Sequence, residues 1–251
     1  MVRSLGTSLL AVEIFKIKTM RYARHLLLPG FTTHHQKLLA RSSVLVAGAG
    51  GLGSALLLYL AAAGVGHLGI VDFDVVSESN LNRQLLYEPR HLGALKTRVA
   101  AEKIRSLNPD CRLTVLNRRL EASNTVDSLR GFEVVADATD NFAARYALDA
   151  ACERLRLPFV YGSAEGWGGQ VSVFHYGGAG GYRHLYPESP EWGAGPPGVM
   201  GPLPGLVGTR QALEVLKIIT GQGEVLAGKL WIFDALNNQD RTVDLSVLWS
   251  H

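Results

Sequence analysis

Cysteine is scarce, with Cys111 and Cys152 the two examples in 251 residues, far apart and forming no CxxC pair. This excludes a disulfide scaffold, a thiolate zinc site and a redox dithiol, and it fits a reducing compartment, with the cytoplasm as the expectation. Charge is sparse too: 19% of residues are charged, 25 basic against 22 acidic, for a formal net charge of +3. So even and dispersed a balance marks neither a nucleic-acid-binding nor a membrane-binding surface, and is compatible with an anionic substrate. Long apolar runs are missing as well. Residues 1–19 intersperse Glu13, Lys16 and Lys18 among their apolar side chains, which reads neither as a membrane span nor as a signal peptide. What is present, 47% hydrophobic residues with 28 Gly and 10 Pro, rules out disorder and collagen and suits one compact domain with a sizeable core. The expected organisation is an N-terminal extension over 1–19, poorly ordered and without an assigned role, ahead of one domain over 20–251.

Apolar runs alternate with amphipathic, helix-length segments. Ser43–Ala47, Leu68–Phe73, Arg112–Asn117, Phe132–Ala138 and Phe159–Ser163 read as strands, and Leu52–Ala63, Leu95–Leu107 and Phe142–Leu155 as helices. Strands rich in Val and Leu without polar alternation are buried on both faces, and helical crossovers make neighbours parallel. The fold class is therefore α/β, a Rossmann-like, doubly wound, mainly parallel sheet. From Gly177 to Gly205 the pattern breaks down: 9 Gly and 6 Pro fall in this stretch, which reads as a long functional loop. A helix over Leu206–Thr220 and strands over Lys229–Asp234 and Arg241–Leu245 follow as a C-terminal antiparallel extension. Tyr182, Tyr186, Trp167 and Trp192 argue that the Gly/Pro-rich loop is packed rather than loose.

The most specific local signal is Gly48-Ala49-Gly50-Gly51-Leu52-Gly53, a GxGxxG run placed between a buried strand and a helix. Gly48 permits the turn, Gly50 lets backbone amides approach a phosphate chain, and the helix N-terminus adds oriented N–H groups. NAD, FAD and ATP sites all use this arrangement. About 20 residues on, Asp72-Phe73-Asp74 offers acids for ribose hydroxyls. The polar run Ser77-Glu78-Ser79-Asn80-Leu81-Asn82-Arg83-Gln84 that follows is not what a dehydrogenase would carry there.

These residues resemble the ThiF/MoeB/HesA family, bacterial relatives of the ubiquitin-activating enzymes. The resemblance runs through Arg21-Tyr22-Ala23-Arg24, the glycine run at Gly48, the acids at Asp72, Ser79–Gln84, Lys96, Ala138-Thr139-Asp140-Asn141 and Gly198-Val199-Met200-Gly201-Pro202. It implies magnesium- and ATP-dependent adenylation of the C-terminal glycine of a small ubiquitin-fold sulfur carrier, with release of pyrophosphate. It implies nucleotide contacts from Gly48, Gly50, Gly51, Gly53, Asp72, Asp74, Asn80, Arg83, Gln84, Lys96 and Asn141. It further implies a magnesium-associated Asp140, and an Arg24 that reaches across a homodimer into the partner's phosphates. Arg24, Arg83, Lys96 and Asp140 then form the catalytic set, which suits a reaction that brings two anions together. The Gly/Pro-rich loop becomes a crossover segment under which a slim Gly-Gly tail passes.

Many relatives carry two zinc-binding CxxC pairs and a loop cysteine. Here the first pair falls on Gly181-Tyr182-Arg183-His184, no second pair occurs near Asp234–Asp240, and the loop cysteine falls near Ala194. The resemblance therefore implies no zinc site and a reaction ending at the acyl-adenylate, with sulfur delivered by a separate protein for molybdopterin, thiamin or thiolated-tRNA synthesis. Cys152 reads as a buried structural thiol, and the adjacent His34 and His35 as incidental. The competing readings are a non-catalytic nucleotide- or carrier-binding protein, a family member adenylating a peptide or other acceptor, and a nicotinamide-dependent dehydrogenase on the same sheet. Neither nucleic acid nor membrane is an expected partner.

Overall fold

A computed structural model describes residues 20–189 and 198–249. The readings placed on residues 1–19, on Trp192 and on Ala194 lie outside the described residues.

After a short helix α1 (Ala23–Leu26) and α2 (Thr33–Arg41), the chain enters β1 (Ser43–Ala47), α3 (Gly51–Ala63) and β2 (His67–Asp72). It continues through α4 (Lys96–Leu107), β3 (Arg112–Asn117), α5 (Thr125–Leu129), β4 (Val134–Asp137), α6 (Phe142–Leu155) and β5 (Phe159–Glu165). The last part comprises β6 (Gly168–Phe174), α7 (Tyr182–Leu185), α8 (Pro202–Thr220), β7 (Lys229–Asp234) and β8 (Gln239–Asp244). The strands make one sheet in the order β3-β2-β1-β4-β5-β6-β7-β8. Pairing is parallel from β3 to β5 and antiparallel from β5 to β8.

Alternation along β1 explains the layering. Val44 and Val46 point to one face, where Leu56, Leu57 and Leu60 of α3 and Val207 and Val215 of α8 cover them. Leu45 and Ala47 point to the other, into a cluster with Leu148 and Cys152 of α6, Phe159, Tyr161 and Tyr182. With both faces covered, every β1 residue is buried, as expected of a central parallel strand. The chain moves outward from β1 to β3 and then returns to β4 on the other side of β1. The crevice beyond the carboxyl ends of β1 and β4 is thus the switch point at which open α/β sheets hold ligands.

The structure corrects three sequence expectations. Strand β6 is absent from the sequence pattern, because its first two residues are glycines and it lies in a hairpin with β5 rather than after a helix. The helix expected from Leu206 starts at Pro202, where proline at the first helical position loses no intrahelical hydrogen bond. Helices α2 and α5 are likewise additions; α2 is fixed at its start by a capping box between Thr32 and His35, so His35 is a capping residue rather than incidental.

Around Gly181–His184 a carboxylate does the holding. Asp149 of α6 accepts hydrogen bonds from the amides of Tyr182 and Arg183 at 2.7 and 3.2 Å and from Nε2 of His175 at 2.8 Å. Trp249 packs edge-on against His184 on the outer side, 5.3 Å between ring centroids. The β7–β8 turn is held by Asp234, whose carboxylate takes the amides of Leu236 and Asn237.

Burial pushes the Cys111 thiol up to about 11 and raises Cys152 well above its usual range. Both are protonated at pH 8, and thiolate is the nucleophilic form. Neither cysteine should therefore react with iodoacetamide at pH 8 in the folded protein, while both should react in denaturant. Asp149→Ala leaves one buried and two partly buried donors without their acceptor, and an equilibrium denaturation curve should show a loss of about 2–3 kcal/mol.

Candidate functional site

Two strand ends meet at the switch point. Gly48 follows β1 with φ +98°, and a Cβ there would stand 2.4 Å from the carbonyl oxygen of Ala138, which follows β4. Glycine is required both for the backbone angle and for the contact. The last glycine of the run serves packing instead. A Cβ on Gly53 would lie 2.1 Å from the Gly48 carbonyl oxygen, so Gly53 lets α3 pass against the turn and does not line the cavity.

The loop is pinned from two sides. Asp72, at the end of β2, accepts the Ala49 amide on Oδ2 and the Asp74 amide on Oδ1, both at 2.8 Å. Tyr87, buried, donates its hydroxyl to the Ala49 carbonyl at 2.7 Å. Burial first, then the charges of Asp72 and Asp74, raise the Tyr87 pKa, so the hydroxyl remains a donor throughout the working pH range. Asp72 is thus engaged by the backbone, whereas Asp74 is half exposed and pairs through Oδ2 with Nζ of Lys96 at 2.9 Å. Lys96, the first residue of α4, is almost wholly buried.

A cavity of about 1260 Å³ opens over this loop. Gly48, Gly50, Gly51, Asp72, Asp74, Arg83, Gln84, Lys96, Asp140 and Asn141 line it, so ten of the sequence-predicted residues meet at one place. Asn80 does not line it; it is buried and its Oδ1 accepts the Ser77 amide, shaping the turn that presents Arg83 and Gln84. Arg83 rests on the Ser79 carbonyl and on Oδ1 of Asn82, at 2.8 and 3.0 Å. Arg24 is exposed on α1 and is not part of the cavity wall of its own chain.

Asp140 is exposed at the cavity, with its Oδ1 3.4 Å from Nδ2 of Asn141. Asn141, not Asp140, caps α6 by accepting the Ala144 amide at 2.9 Å, so the Asp140 carboxylate has no helix-capping duty. Gln84 Oε1 is buried at the cavity wall without a hydrogen-bond partner among the described residues. An open glycine turn, an unpaired Gln84 oxygen able to accept from a ribose hydroxyl or a metal-bound water, and a carboxylate facing the cavity fit a nucleoside triphosphate carrying magnesium. Magnesium keeps water and phosphate oxygens as most of its ligands, so one protein carboxylate suffices.

Sequence reasoning missed several wall residues. Arg119, from the β3–α5 connection, lies over the Phe73 ring at 3.8 Å. Ser163 and Ala164 of β5, Pro204 of α8 and Arg183 of α7 also line it. Arg145 is itself part of the wall and pairs with Asp137 behind it, Nε to Oδ2 3.4 Å, both side chains nearly free of solvent. Full burial pushes the Asp137 carboxyl up, against the pull of Arg145 and of the Thr139 hydrogen bonds. An acid closing the otherwise apolar run Val134–Ala136 was the available sequence signal for this pair.

The sheet order and the glycine turn at the switch point define an α/β protein of the doubly wound class, in which this crevice is where nucleotides are commonly held. Solved structures agree on that fold. The Escherichia coli MccB crystal structure with ATP superposes with a TM-score of 0.81 at 18% identity, covering 90% of this chain and 71% of that one. The crystal structure of PaaA gives 0.78 at 21% identity, over 91% and 73%. The ThiF family profile matches residues 22–247, and the chain belongs to the ThiF family. It is 44% identical over 229 residues to the maize (Zea mays) adenylyltransferase and sulfurtransferase MOCS3-1, covering 90% of this chain and 49% of the relative. It is 44% identical over 243 residues to the probable adenylyltransferase/sulfurtransferase MoeZ of Mycobacterium tuberculosis, covering 94% and 62%. A probable molybdopterin-synthase adenylyltransferase of Porphyra purpurea is 41% identical over 221 residues, covering 86% and 58%. The chain thus spans about half to three-fifths of the length of these relatives.

Tyr87→Phe removes the hydroxyl pin on Ala49 and leaves the ring. The expected cost is about 1 kcal/mol in folding stability, together with a roughly 5-fold weaker ATP affinity by calorimetry as the loop amides lose alignment.

Proposed function

We propose that the chain is an ATP-dependent adenylyltransferase that activates the C-terminal glycine of a small ubiquitin-fold sulfur carrier as an acyl-adenylate. The observation that carries this reading is the convergence of Gly50, the Asp74–Lys96 pair, Arg83 and Asp140 on one cavity. The names of the relatives support adenylation as the chemistry, and the Porphyra name favours a molybdopterin-synthase carrier over a thiamin one.

The carrier carboxylate attacks the α-phosphorus of ATP, an acyl–phosphate bond forms as the α–β phosphoanhydride bond breaks, and pyrophosphate leaves. The turn amides around Gly50 hold phosphate oxygens, with Asn141 and Gln84 alongside. Asp74 accepts from the ribose hydroxyls while its other engagement is with Lys96. Lys96 and Arg83 place positive charge where two anions converge, which lowers the barrier by electrostatic stabilisation and alignment. Magnesium, when bound with the nucleotide through Asp140, supplies charge neutralisation on the phosphates. No residue needs to act as a covalent nucleophile.

The active unit in this reading is a homodimer. An apolar groove of about 390 Å³ between α3 and the Arg83 turn is lined by Ala55, Leu58, Tyr59, Leu85 and Leu107, with Leu85 and Tyr59 exposed. A second copy seated there would cover these side chains and bring an exposed Arg24 toward the phosphates of its neighbour. Residues 20–251 act as one adenylation domain, supported by the continuous sheet and the family match. Sulfur transfer falls to a separate protein, and the site of action is the cytoplasm; among the described residues no helix is long and apolar enough to cross a membrane.

Exchange of labelled pyrophosphate into ATP tests the reading, with carriers that keep or lack the terminal Gly-Gly. Exchange should require the intact tail, and silence with every carrier despite ATP binding would refute adenylation of such a carrier. Asp140→Ala should lower exchange at least about 100-fold with the fold intact. Mixing Arg24→Ala with Asp140→Ala protein should restore part of the activity through hybrid sites; no recovery under demonstrated subunit exchange refutes the role of Arg24 across the dimer.

A further inference from the structure

Asp137 and Arg145 form a buried ion pair that the chemistry above leaves unused. Asp137 closes β4 and Arg145 lies on α6, with side chains 0% and 4% exposed. Two charges withdrawn from water are weak evidence for stability in themselves, because an apolar pair of similar volume commonly serves as well. The hydrogen bonds show where the pair acts. Asp137 Oδ1 accepts both the amide and the hydroxyl of Thr139, at 2.9 and 2.6 Å. Arg145 Nη2 donates to the Thr139 carbonyl at 3.0 Å and lies 3.4 Å from Oγ of Ser163. One residue is thus gripped at its amide, its hydroxyl and its carbonyl, and the next residue in the chain is Asp140.

The grip is anchored in rigid elements. Gln211 of α8, wholly buried, donates Nε2 to the carbonyl oxygens of Asp137 and Val160, at 2.6 and 3.2 Å, and so ties β4 to β5 directly below Thr139. Asn141 on the far side is fixed as the cap of α6. Between these two anchors Asp140 has a single 3.4 Å contact, to Asn141, among the hydrogen bonds described. Its own side chain does little to set its place, so its direction follows from the peptide held before it.

We propose that Asp137 and Arg145 are the positioning residues for Asp140, clamping the Thr139 peptide so that the Asp140 carboxylate stands in the cavity wall beside the glycine turn. The proposal rests on the adenylation reading for its consequence, and on the hydrogen bonds alone for its geometry. Small displacements of a catalytic group are costly in rate, so the clamp acts on the reaction through the place it gives Asp140.

The test removes both charges at once, because unpairing either leaves a buried charge and endangers the fold. The Asp137→Leu/Arg145→Met double variant should keep an unfolding midpoint close to that of the unaltered protein and an ATP dissociation constant in EDTA within about 3-fold. Its affinity for Mn²⁺ in the presence of ATP, read by electron paramagnetic resonance, should fall at least about 10-fold, and pyrophosphate exchange by a similar factor or more. A double variant with unaltered Mn²⁺ affinity and exchange shows the pair to be structural filling and overturns the proposal. Should the double variant not fold, Thr139→Val keeps the volume and loses one of the three grips. Exchange should then fall about 3- to 10-fold with ATP affinity in EDTA unchanged, and an unaltered rate overturns the proposal. If the unaltered protein shows no exchange with any carrier, adenylation fails while the Mn²⁺ arm still decides whether the clamp positions Asp140.

Discussion

The architecture turns on a contact between two backbones. At the carboxyl ends of β1 and β4, Gly48 and the Ala138 carbonyl lie too close for any side chain between them. The Ala138 amide donates to the Ala47 carbonyl at 2.7 Å, and the Gly48 amide to the Val71 carbonyl at the same distance. The loops that leave these strands are therefore locked to each other before they diverge, one to form the glycine turn and the other to carry Thr139, Asp140 and Asn141. The glycine turn and an acidic group are held at fixed separation by the sheet itself.

Around that contact the site is built in concentric supports. Asp72 and Tyr87 hold the turn through Ala49, and Asp137, Arg145 and Gln211 hold the opposite loop. The groups that face the cavity, Asp74, Arg83, Asp140 and the turn after Gly48, are each one step removed from a buried anchor. Low dielectric strengthens the anchoring hydrogen bonds and makes any vacancy among them expensive, which gives the exposed groups their fixed positions. The wing beyond β5 follows the same logic. Asp149 and Trp249 hold α7, the carboxylate through the amides at the helix start and the aromatic ring against His184.

Much of this was legible in the chain. The unbroken Val44–Ala47 run can only be a strand covered on both faces, and the glycine run after it can only be a tight turn into a helix. The acids at Asp72 and Asp74 and the cations at Arg83 and Lys96 fall at spacings that bring them to the same crevice in any doubly wound sheet. Less legible were elements whose local signal is weak. Strand β6 opens with Gly168 and Gly169, poor strand formers, and owes its place to two neighbours; α8 starts four residues earlier than periodicity alone marks, because proline at its first turn resembles loop composition.

The sequence by itself determined the fold class, the phosphate turn and the identity of the acids and cations around it, because periodicity, glycine geometry and spacing are local properties. The tertiary structure alone decided how those residues divide their roles. Asp72 became a backbone anchor and Asp74 the partner of Lys96, although one residue separates them, because only Asp72 faces the Ala49 amide. Arg24 was placed outside its own chain's cavity, and Arg145 in its wall, paired with Asp137. Burial and partner choice depend on elements far apart in sequence, and no window of local sequence contains them.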